Sequence, residues 1–303
     1  MKTEYRLGVD VGGTHMAAGL VDENNRIIAT AERRTEPAMT PEELAGAIEE
    51  MLGELLAGQG LDRRQVKSLG VCVPGTVNQE TGALEFANNL PNLNGDLRRV
   101  IGEKTGLPIA MENDANAAAF GEYVAQGRPA GDFIMITLGT GVGGGVILGG
   151  KLLRGVNYAA CELGHMTINM EGPLCSCGRR GCFEMYGSAP ALIRQATEQG
   201  MKAPDAKTVF DAYRRGDKVA QSVVDRYITY LAEGIANVIN IFQPDTICLG
   251  GGVSRSSDLI LPMLRAKVRP IIYSRNAVKN TQFVAATLYN DAGIIGAANL
   301  PVS

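Results

Sequence analysis

The sequence lacks the segments that carry proteins into or across membranes. No stretch approaches the roughly 18 uninterrupted apolar residues of a membrane-spanning helix. The first residues lead directly into a predicted strand, without the basic region, apolar run and cleavage site of a signal peptide. We therefore expect a cytoplasmic protein that has no membrane partner.

An excess of charge of one sign is also absent. The 29 basic and 32 acidic residues are well mixed and give a net charge of -3. Such a balance does not predict a basic surface that would bind nucleic acid or anionic lipid, so we expect a small-molecule partner. The 303 residues, 45% of them hydrophobic, are enough for about two domains with a substantial core.

Histidine and cysteine are rare, yet half of them fall in one short segment. The chain has two histidines and six cysteines. Four of these eight residues form the pattern H-x9-C-x-C-x4-C: His165, Cys175, Cys177 and Cys182. Four soft donors at this spacing predict a closed, tetrahedral, structural Zn2+ site. A disulfide with spare thiols is the alternative, but Cys175 and Cys177 are too close in sequence to pair easily. Free thiols also fit a reducing compartment.

A β-meander occurs twice in the sequence. The predicted strands of the first copy cover residues 6–10, 17–21 and 26–33, and those of the second cover 133–138, 145–148 and 151–154. Strands alternate with helices elsewhere, including one long helix predicted over 218–242, and this alternation indicates an α/β protein. No Ser/Gly/Pro-rich linker marks a boundary, so the repeat alone predicts the division into two domains: residues 1–117 with 290–303, and residues 118–289.

Each meander has a Gly-rich first turn, Val11-Gly-Gly-Thr14 or Gly139-Thr-Gly-Val-Gly-Gly144. Glycines let backbone N–H groups approach phosphate oxygens closely, and the Thr hydroxyls add donors. Neither turn is a Walker A loop, because no Gly-Lys-Ser/Thr follows. Either turn alone also fits an ordinary hairpin. Together with a third cluster, Gly250-Gly-Gly252, they favour nucleotide binding, and Asp10 beside the first turn could hold Mg2+.

Asn113 and Asp114 follow a predicted strand, 108–112, and precede a helical run. Aspartate is a good helix N-cap, so Asp114 has a structural interpretation. A carboxylate at the end of a strand in an α/β sheet is equally well placed to accept a hydroxyl proton. The position in the sequence favours neither interpretation.

These residues together resemble the ROK family of sugar kinases and repressors, and within it the bacterial glucokinase-like enzymes. The resemblance covers nearly the whole chain. It rests on Asp10-Val-Gly-Gly-Thr14, Val73-Pro-Gly75, Asn89-Leu90, Glu112-Asn-Asp-Ala-Asn116, Leu138-Gly-Thr-Gly-Val-Gly-Gly-Gly145, Glu162-Leu-Gly-His165, Cys175-Ser-Cys-Gly-Arg-Arg-Gly-Cys-Phe-Glu184 and Leu249-Gly-Gly-Gly252. The Cys-rich element combined with Glu-x-Gly-His is highly specific, whereas the glycine turns alone are not.

The resemblance implies an actin-like ATPase (ribonuclease H-like) fold, in which two α/β domains bind a hexose and ATP in the cleft between them. It implies that Asp114 is the catalytic base. The implied sugar ligands are Gly75, Asn89, Asn113, Asp114, Glu162, His165 and Glu184. The implied nucleotide and phosphate ligands are Asp10, Gly12, Gly13, Thr14, Gly139, Thr140, Gly141, Gly250, Gly251 and Gly252.

The resemblance therefore implies ATP-dependent phosphorylation of a hexose, most often glucose at O6, with Mg2+ on the phosphates and a structural Zn2+. N-acetylmannosamine or N-acetylglucosamine kinases share every motif, and polyphosphate is an alternative donor. A sugar-sensing repressor is disfavoured because the first phosphate turn begins at residue 11, which leaves no room for a preceding helix-turn-helix. We expect a homodimer or higher homo-oligomer.

Two positions depart from the family pattern. Cys161 precedes Glu162 where a small residue, often glycine, is usual, and it is either a spare thiol or a competing metal ligand. Asn92 stands where an aromatic residue is common, and the chain has no Trp. The identity of the sugar depends on such positions. Cys72 and Cys248 lie in apolar strand patterns and are predicted to be buried in the core.

Overall fold

A computed structural model describes residues 4–87, 90–202 and 205–302. Its strands are β1 (Tyr5–Val11), β2 (His15–Val21), β3 (Ile27–Arg34), β4 (Val66–Val73), β5 (Thr76–Val77), β6 (Leu84–Phe86), β7 (Ile109–Asn113), β8 (Phe133–Leu138), β9 (Val142–Leu148), β10 (Lys151–Leu152), β11 (Thr246–Gly250) and β12 (Gln282–Ala285). Its helices are α1 (Pro41–Gln59), α2 (Leu97–Thr105), α3 (Asp114–Ala125), α4 (Glu184–Gly187), α5 (Ala189–Glu198), α6 (Ala206–Arg214), α7 (Lys218–Phe242), α8 (Ser257–Val268) and α9 (Ala292–Ala298).

Contacts between Cα atoms divide the chain into two compact units. The first contains residues 1–129, 151–160 and 290–303, and the second contains residues 130–150 and 161–289. The domain boundaries predicted from the sequence stay predictions. The contact-based units differ from them in keeping all of α3 in the first unit, where it packs against α9, and in assigning residues 151–160 to that unit.

The first unit is built on a sheet with the strand order β3-β2-β1-β4-β7. Strands β1, β4 and β7 are parallel, so their carboxyl ends lie along one edge, and β2 and β3 complete the meander by antiparallel pairing. One face buries apolar side chains such as Leu7, Val9 and Leu69 against α1 and α2. The other face carries α9, which approaches closely because Gly8 and Gly70 have no side chain: a Cβ at Gly70 would lie 1.7 Å from the carbonyl oxygen of Ala297.

The second unit repeats this arrangement in a sheet that contains β9, β8, β11 and β12 in that order. Strands β8, β11 and β12 are parallel and β9 is antiparallel. Helix α7 begins after Asp217, whose carboxylate accepts a hydrogen bond from the Ala220 N–H. It ends before Gln243, which adopts the left-handed conformation (φ 46°) ahead of Pro244. The predicted helix at 218–242 is confirmed, as is the duplicated meander in an α/β fold.

In the described ranges of the chain, no helix is both long and apolar enough to span a bilayer.

Candidate functional site

Acidic side chains of the first unit meet at the carboxyl ends of its parallel strands. The register of β1, β4 and β7 places Asp10, Cys72 and Glu112 side by side in one row. The Cys72 thiol donates to Asp10 Oδ1 at 3.3 Å. Burial raises the pKa of Asp10, and this hydrogen bond opposes the rise. Burial raises the pKa of Cys72 well above its usual value, and the negative charges of Asp10, Asp114 and Glu112 add to the effect.

Glu112 is the most deeply buried of these acids, with 2% of its surface exposed. Its Oε1 accepts hydrogen bonds from the Asn113 N–H at 3.0 Å and the Asn116 side-chain amide at 3.2 Å. Its Oε2 accepts from Arg154 Nε at 2.6 Å. A buried carboxylate is tolerated only when it is paired and hydrogen-bonded. Arg154 was not predicted, because 41 residues of intervening sequence give no sign of the pairing.

Asn113, rather than Asp114, caps α3. The Asn113 Oδ1 accepts from the N–H groups of Ala115 and Asn116 at 2.9 and 3.1 Å, and its Nδ2 donates to the Gly75 carbonyl at 3.0 Å. Asp114 is the first residue of the helix, and its Oδ1 accepts from the Ala115 N–H at 2.8 Å. The sequence suggested that Asp114 could cap this helix. In the structure, the neighbouring Asn113 supplies the cap.

Gly75 positions Asn113, because the Gly75 carbonyl accepts a hydrogen bond from the Asn113 side-chain amide. The residue has φ 111°, and a Cβ there would lie 2.0 Å from the Phe86 carbonyl oxygen. Only glycine fits this position. The predicted sugar ligand Asn89 lies outside the described residues.

In the second unit, the four predicted metal ligands come together. The donor atoms of His165, Cys175, Cys177 and Cys182 all lie within 4.8 Å of one another. The Sγ atoms of Cys177 and Cys182 are 3.6 Å apart, and the Cys175 Sγ is 3.7 Å from the His165 Nδ1. Zn–S bonds of about 2.3 Å at tetrahedral angles place two sulfurs about 3.8 Å apart, whereas a disulfide needs about 2.05 Å. The separations fit a tetrahedral cation and exclude a disulfide.

The electrostatics of the two facing thiols differ. Burial raises the pKa of Cys182 to about 12, whereas the hydrogen bond from the Arg179 N–H lowers the pKa of Cys177. A metal ion needs both sulfurs as thiolates, so binding has to release the Cys182 proton. Cys161 is not a member of the donor group. It lies in the left-handed region (φ 70°), which accounts for the glycine often found there in the family pattern.

Glu162 and Glu184, the two glutamates predicted to bind the sugar, lie on either side of the metal-donor group in the sequence. Glu162 is exposed and immediately precedes the short 3-10 turn that ends at His165. Glu184 begins α4, and its Oε2 accepts from the Val142 N–H at 3.3 Å. A Cβ at Gly141 would lie 2.3 Å from this same Oε2 atom. The second glycine turn therefore packs directly against Glu184, a contact that the sequence did not predict.

The second and third glycine clusters lie next to each other. They follow the neighbouring parallel strands β8 and β11, where Gly250 is paired with Thr137. Gly251 has φ 80°, and a Cβ there would lie 2.5 Å from the Leu138 carbonyl oxygen. Gly139 and Gly252 have open space where a side chain would project. This edge of the sheet is thus accessible to a ligand at both turns.

The Gly-rich turn of the first unit is held by its own hydrogen bonds. The Gly12 N–H donates to the His15 carbonyl at 2.8 Å, and the Thr35 hydroxyl donates to the Gly12 carbonyl at 2.6 Å. Gly13 and Thr14 form the outer part of the turn, and Thr14 is exposed. Gly293 packs against Asp10 beside the turn, since a Cβ at Gly293 would lie 2.2 Å from the Asp10 Oδ2.

A profile of the ROK family matches residues 6–302 of the chain. The chain belongs to the ROK family. This ROK protein is 36% identical to a glucokinase of Thermotoga maritima, over 97% of the chain and 96% of the relative. It is 34% identical to an N-acetylmannosamine kinase of Escherichia coli O157:H7, over 97% of each chain. The crystal structure of a ROK family glucokinase from Streptomyces griseus in complex with glucose and AMPPNP superposes with a TM-score of 0.79 at 35% identity, covering 97% of this chain and 98% of that one. The predicted actin-like fold is confirmed.

Proposed function

We propose that the protein is an ATP-dependent hexose kinase that converts glucose to glucose 6-phosphate. The observation that carries the proposal is the position of Asp114 directly after β7, at the carboxyl edge of the parallel strands of the first unit, with the helix cap supplied by Asn113. The glucokinase relatives, and the glucose and AMPPNP bound in the Streptomyces griseus structure, support this substrate and donor.

In the proposed reaction, the Asp114 carboxylate accepts the proton of the O6 hydroxyl as that oxygen forms a bond to the γ-phosphorus. The bond from this phosphorus to the leaving ADP oxygen breaks in line. Both partners must be held in reacting geometry, since phosphoryl transfer depends mainly on positioning and on charge stabilisation. The proposed sugar ligands are Gly75, Asn89, Asn113, Asp114, Glu162, His165 and Glu184.

The proposed phosphate ligands are the two glycine turns. Because the N–H groups of Gly12 and Gly139 donate within their own turns, the donors to phosphate would be the following residues: Gly13 and Thr14 in the first turn, and Thr140 and Gly141 in the second. Asp10 would hold Mg2+, and the bound ion would neutralise part of the phosphate charge. Gly250, Gly251 and Gly252 are assigned to the adenosine.

We further propose that the Cys3His group holds a structural Zn2+. The donor set and the spacing of its atoms support this metal. The His165 Nδ1 faces Cys175, so the ring would bind metal through Nδ1 and offer its Nε2 to a sugar oxygen. Glu162 and Glu184, each within three residues of a metal ligand, would be held in one geometry by the ion. A closed tetrahedral site leaves the metal no role in activating water.

The substitution Asp114→Asn tests the base. Asparagine can accept the same hydrogen bond from the Ala115 N–H, so the helix should remain intact, while kcat should fall by roughly 10²–10⁴. Glucose affinity, measured by calorimetry, should change little. Asp96→Asn at the N-terminus of α2, where the carboxylate accepts from Arg99 N–H, is the matched control. Near wild-type kcat in Asp114→Asn would reduce Asp114 to a structural residue.

An N-acetylmannosamine kinase is the second candidate, because a relative of that activity is 34% identical over 97% of each chain. A coupled assay across glucose, mannose, N-acetylmannosamine and N-acetylglucosamine, with ATP and polyphosphate as donors, decides between them. The highest kcat/KM on an N-acetylhexosamine would overturn the assignment to glucose. A cytoplasmic location and a homodimer or higher oligomer stay predictions, the latter to be checked by light scattering.

A further inference from the structure

The second unit contains a cavity of about 220 Å³ that no part of the proposed reaction uses. Apolar side chains of Val268, Ile272 and Phe283 line it together with the polar side chains of Arg265, Arg269 and Asn280. Phe283 is at the amino end of β12, whereas the glycine turns follow the carboxyl ends of the parallel strands β8 and β11. Within this unit, the cavity and the turns therefore lie at opposite edges of the same sheet.

The chain around the cavity is basic, whereas the whole protein has nearly balanced charges and a net charge of -3. Residues 259–290 contain no Asp or Glu and carry five basic side chains: Arg265, Lys267, Arg269, Arg275 and Lys279. Lys267 pairs with Asp225 at 2.8 Å, and Lys279 pairs with Asp245. Across the described ranges, no carboxylate pairs with Arg265 or Arg269. Two guanidinium groups one helical turn apart thus border the cavity with their charge uncompensated.

Basic residues near the end of a helix are favourable in themselves, because they complement the helix dipole. The hydrogen bonding of the cavity wall goes beyond this explanation. One Arg265 NH2 group donates to the Phe283 carbonyl at 2.6 Å, which fixes the guanidinium against the wall. The Asn280 Nδ2 donates to the Ala277 carbonyl at 2.7 Å, but its buried Oδ1 has no donor among the described residues. A wall with two cationic side chains, one of them fixed by a hydrogen bond, and an unsatisfied acceptor is suited to a ligand that brings both an anion and a hydroxyl.

We propose that this cavity binds a sugar phosphate. The phosphate would accept hydrogen bonds from Arg265 and Arg269, whose planar guanidinium groups match phosphate oxygens. A sugar hydroxyl would donate to the Asn280 Oδ1, and the C–H surfaces of the ring would pack on Val268, Ile272 and Phe283. Sugar phosphates are the products of the proposed reaction, so a role of this cavity in regulating that reaction rests on the proposed function. The binding of a sugar phosphate to the cavity does not depend on the proposed function.

Titration calorimetry of the full-length protein with glucose 6-phosphate tests the proposal. Saturating glucose and AMPPNP in the cell block binding at the catalytic residues. We expect one glucose 6-phosphate per chain, and about tenfold or greater weakening in Arg269→Gln, which loses a charged donor to phosphate. The matched control is Arg275→Gln, which removes the same charge from a neighbouring side chain that does not line the cavity, and its Kd should stay within about twofold of wild type.

The outcomes separate this inference from the proposed function. Failure of glucose 6-phosphate to bind under saturation, or equal affinity in wild type and Arg269→Gln, overturns the site. Inorganic phosphate that binds as tightly as glucose 6-phosphate overturns the assignment to a sugar phosphate. The Arg269→Gln variant should keep wild-type initial rates in the hexokinase assay, so a protein without kinase activity that still shows Arg269-dependent binding would refute only the proposed function.

Discussion

At the residue scale, the buried Glu112 and its partner Arg154 hold the strand end that carries Asp114. Three donors reach the Glu112 carboxylate, and two of them, the Asn113 N–H and the Asn116 amide, belong to the same Glu-Asn-Asp-Ala-Asn segment. Among the residues that the structure describes, Arg154 alone forms an ion pair with Glu112, with 27% of its side chain exposed against 2% for Glu112. The pair thus fixes the local geometry and also cancels a negative charge close to Asp114.

Arg154→Met should therefore be strongly destabilising, because it leaves a buried carboxylate without its cation. We expect a loss toward the lower end of about 3–5 kcal/mol in the free energy of unfolding, since Arg154 is partly exposed. Urea denaturation measures this loss. The double variant Glu112→Gln/Arg154→Met should recover most of it, because the pair is then replaced by neutral side chains.

Arg99→Met is the matched control for this pair. Arg99 pairs with Asp96 and Glu103 on an exposed helix face, so its loss should cost less than about 1 kcal/mol. Equal effects of the two arginine substitutions would contradict the role assigned to the buried pair.

Asp10, the proposed Mg2+ ligand, is a carboxylate whose burial opposes folding when it is charged. Burial raises its pKa, so the folded state favours the protonated form. A raised pKa contributes stability below the unfolded value, about 3.9, and this contribution is lost as the pH rises through the folded pKa. At neutral pH the charged side chain therefore lowers the free energy of unfolding, and an uncharged asparagine would not.

We expect Asp10→Asn to raise the melting temperature at pH 7, by about 2–4 °C for each kcal/mol of penalty removed, while kinase activity is lost. The gain should shrink as the pH falls toward 4. Differential scanning calorimetry at several pH values measures it. Asp211→Asn is the control of opposite sign, because the hydrogen bond from Lys207 lowers the pKa of that half-buried aspartate. A destabilised Asp10→Asn at pH 7 would show that the carboxylate is needed for folding.

At the scale of elements, the turn between β8 and β9 is coupled to α4. The Val142 N–H donates to Glu184, and a side chain at Gly141 would collide with the same carboxylate oxygen. A substitution at Gly141 consequently disturbs a proposed sugar ligand as well as a proposed phosphate ligand. Gly139, two residues earlier in the same turn, has open space at its Cβ position.

We therefore expect Gly141→Ala to raise the KM for hexose about tenfold, since displacing Glu184 removes a charged hydrogen bond of about 1.5–3 kcal/mol. Gly139→Ala should leave that KM within about twofold of wild type. Steady-state kinetics with each substrate varied in turn separates the two parameters. If Gly141→Ala raises only the KM for ATP, the contact with Glu184 has no consequence for sugar binding.

At the scale of the whole molecule, the proposed metal joins separate parts of the second unit. His165 belongs to a 3-10 turn, and the three cysteines lie on the loop that leads into α4. Gly181 allows this loop to close, because a Cβ there would lie 1.4 Å from the Asn169 carbonyl oxygen. Loss of the ion should free Glu162 and Glu184 from one geometry, and the entropy of re-ordering them should oppose sugar binding.

We predict about one zinc per chain by elemental analysis. Cys177→Ser and Cys182→Ser should lose the metal, melt at a lower temperature and show a KM for hexose raised more than the KM for ATP. Cys161→Ser is the matched control and should keep its zinc. A reduced, metal-free wild-type protein with unaltered melting temperature and KM for hexose would contradict a structural role for the ion.

The sequence by itself determined the features that depend on local pattern. The duplicated meander follows from strand periodicity and turn residues, α7 follows from its apolar stripe between Asp217 and Pro244, and the donor group follows from four soft ligands within eighteen positions. The tertiary structure decided the contacts between residues that are distant in the chain. It paired Glu112 with Arg154, and it brought Gly293 against Asp10 and Gly141 against Glu184. These contacts depend on strand register and close backbone approach, which local propensities do not encode.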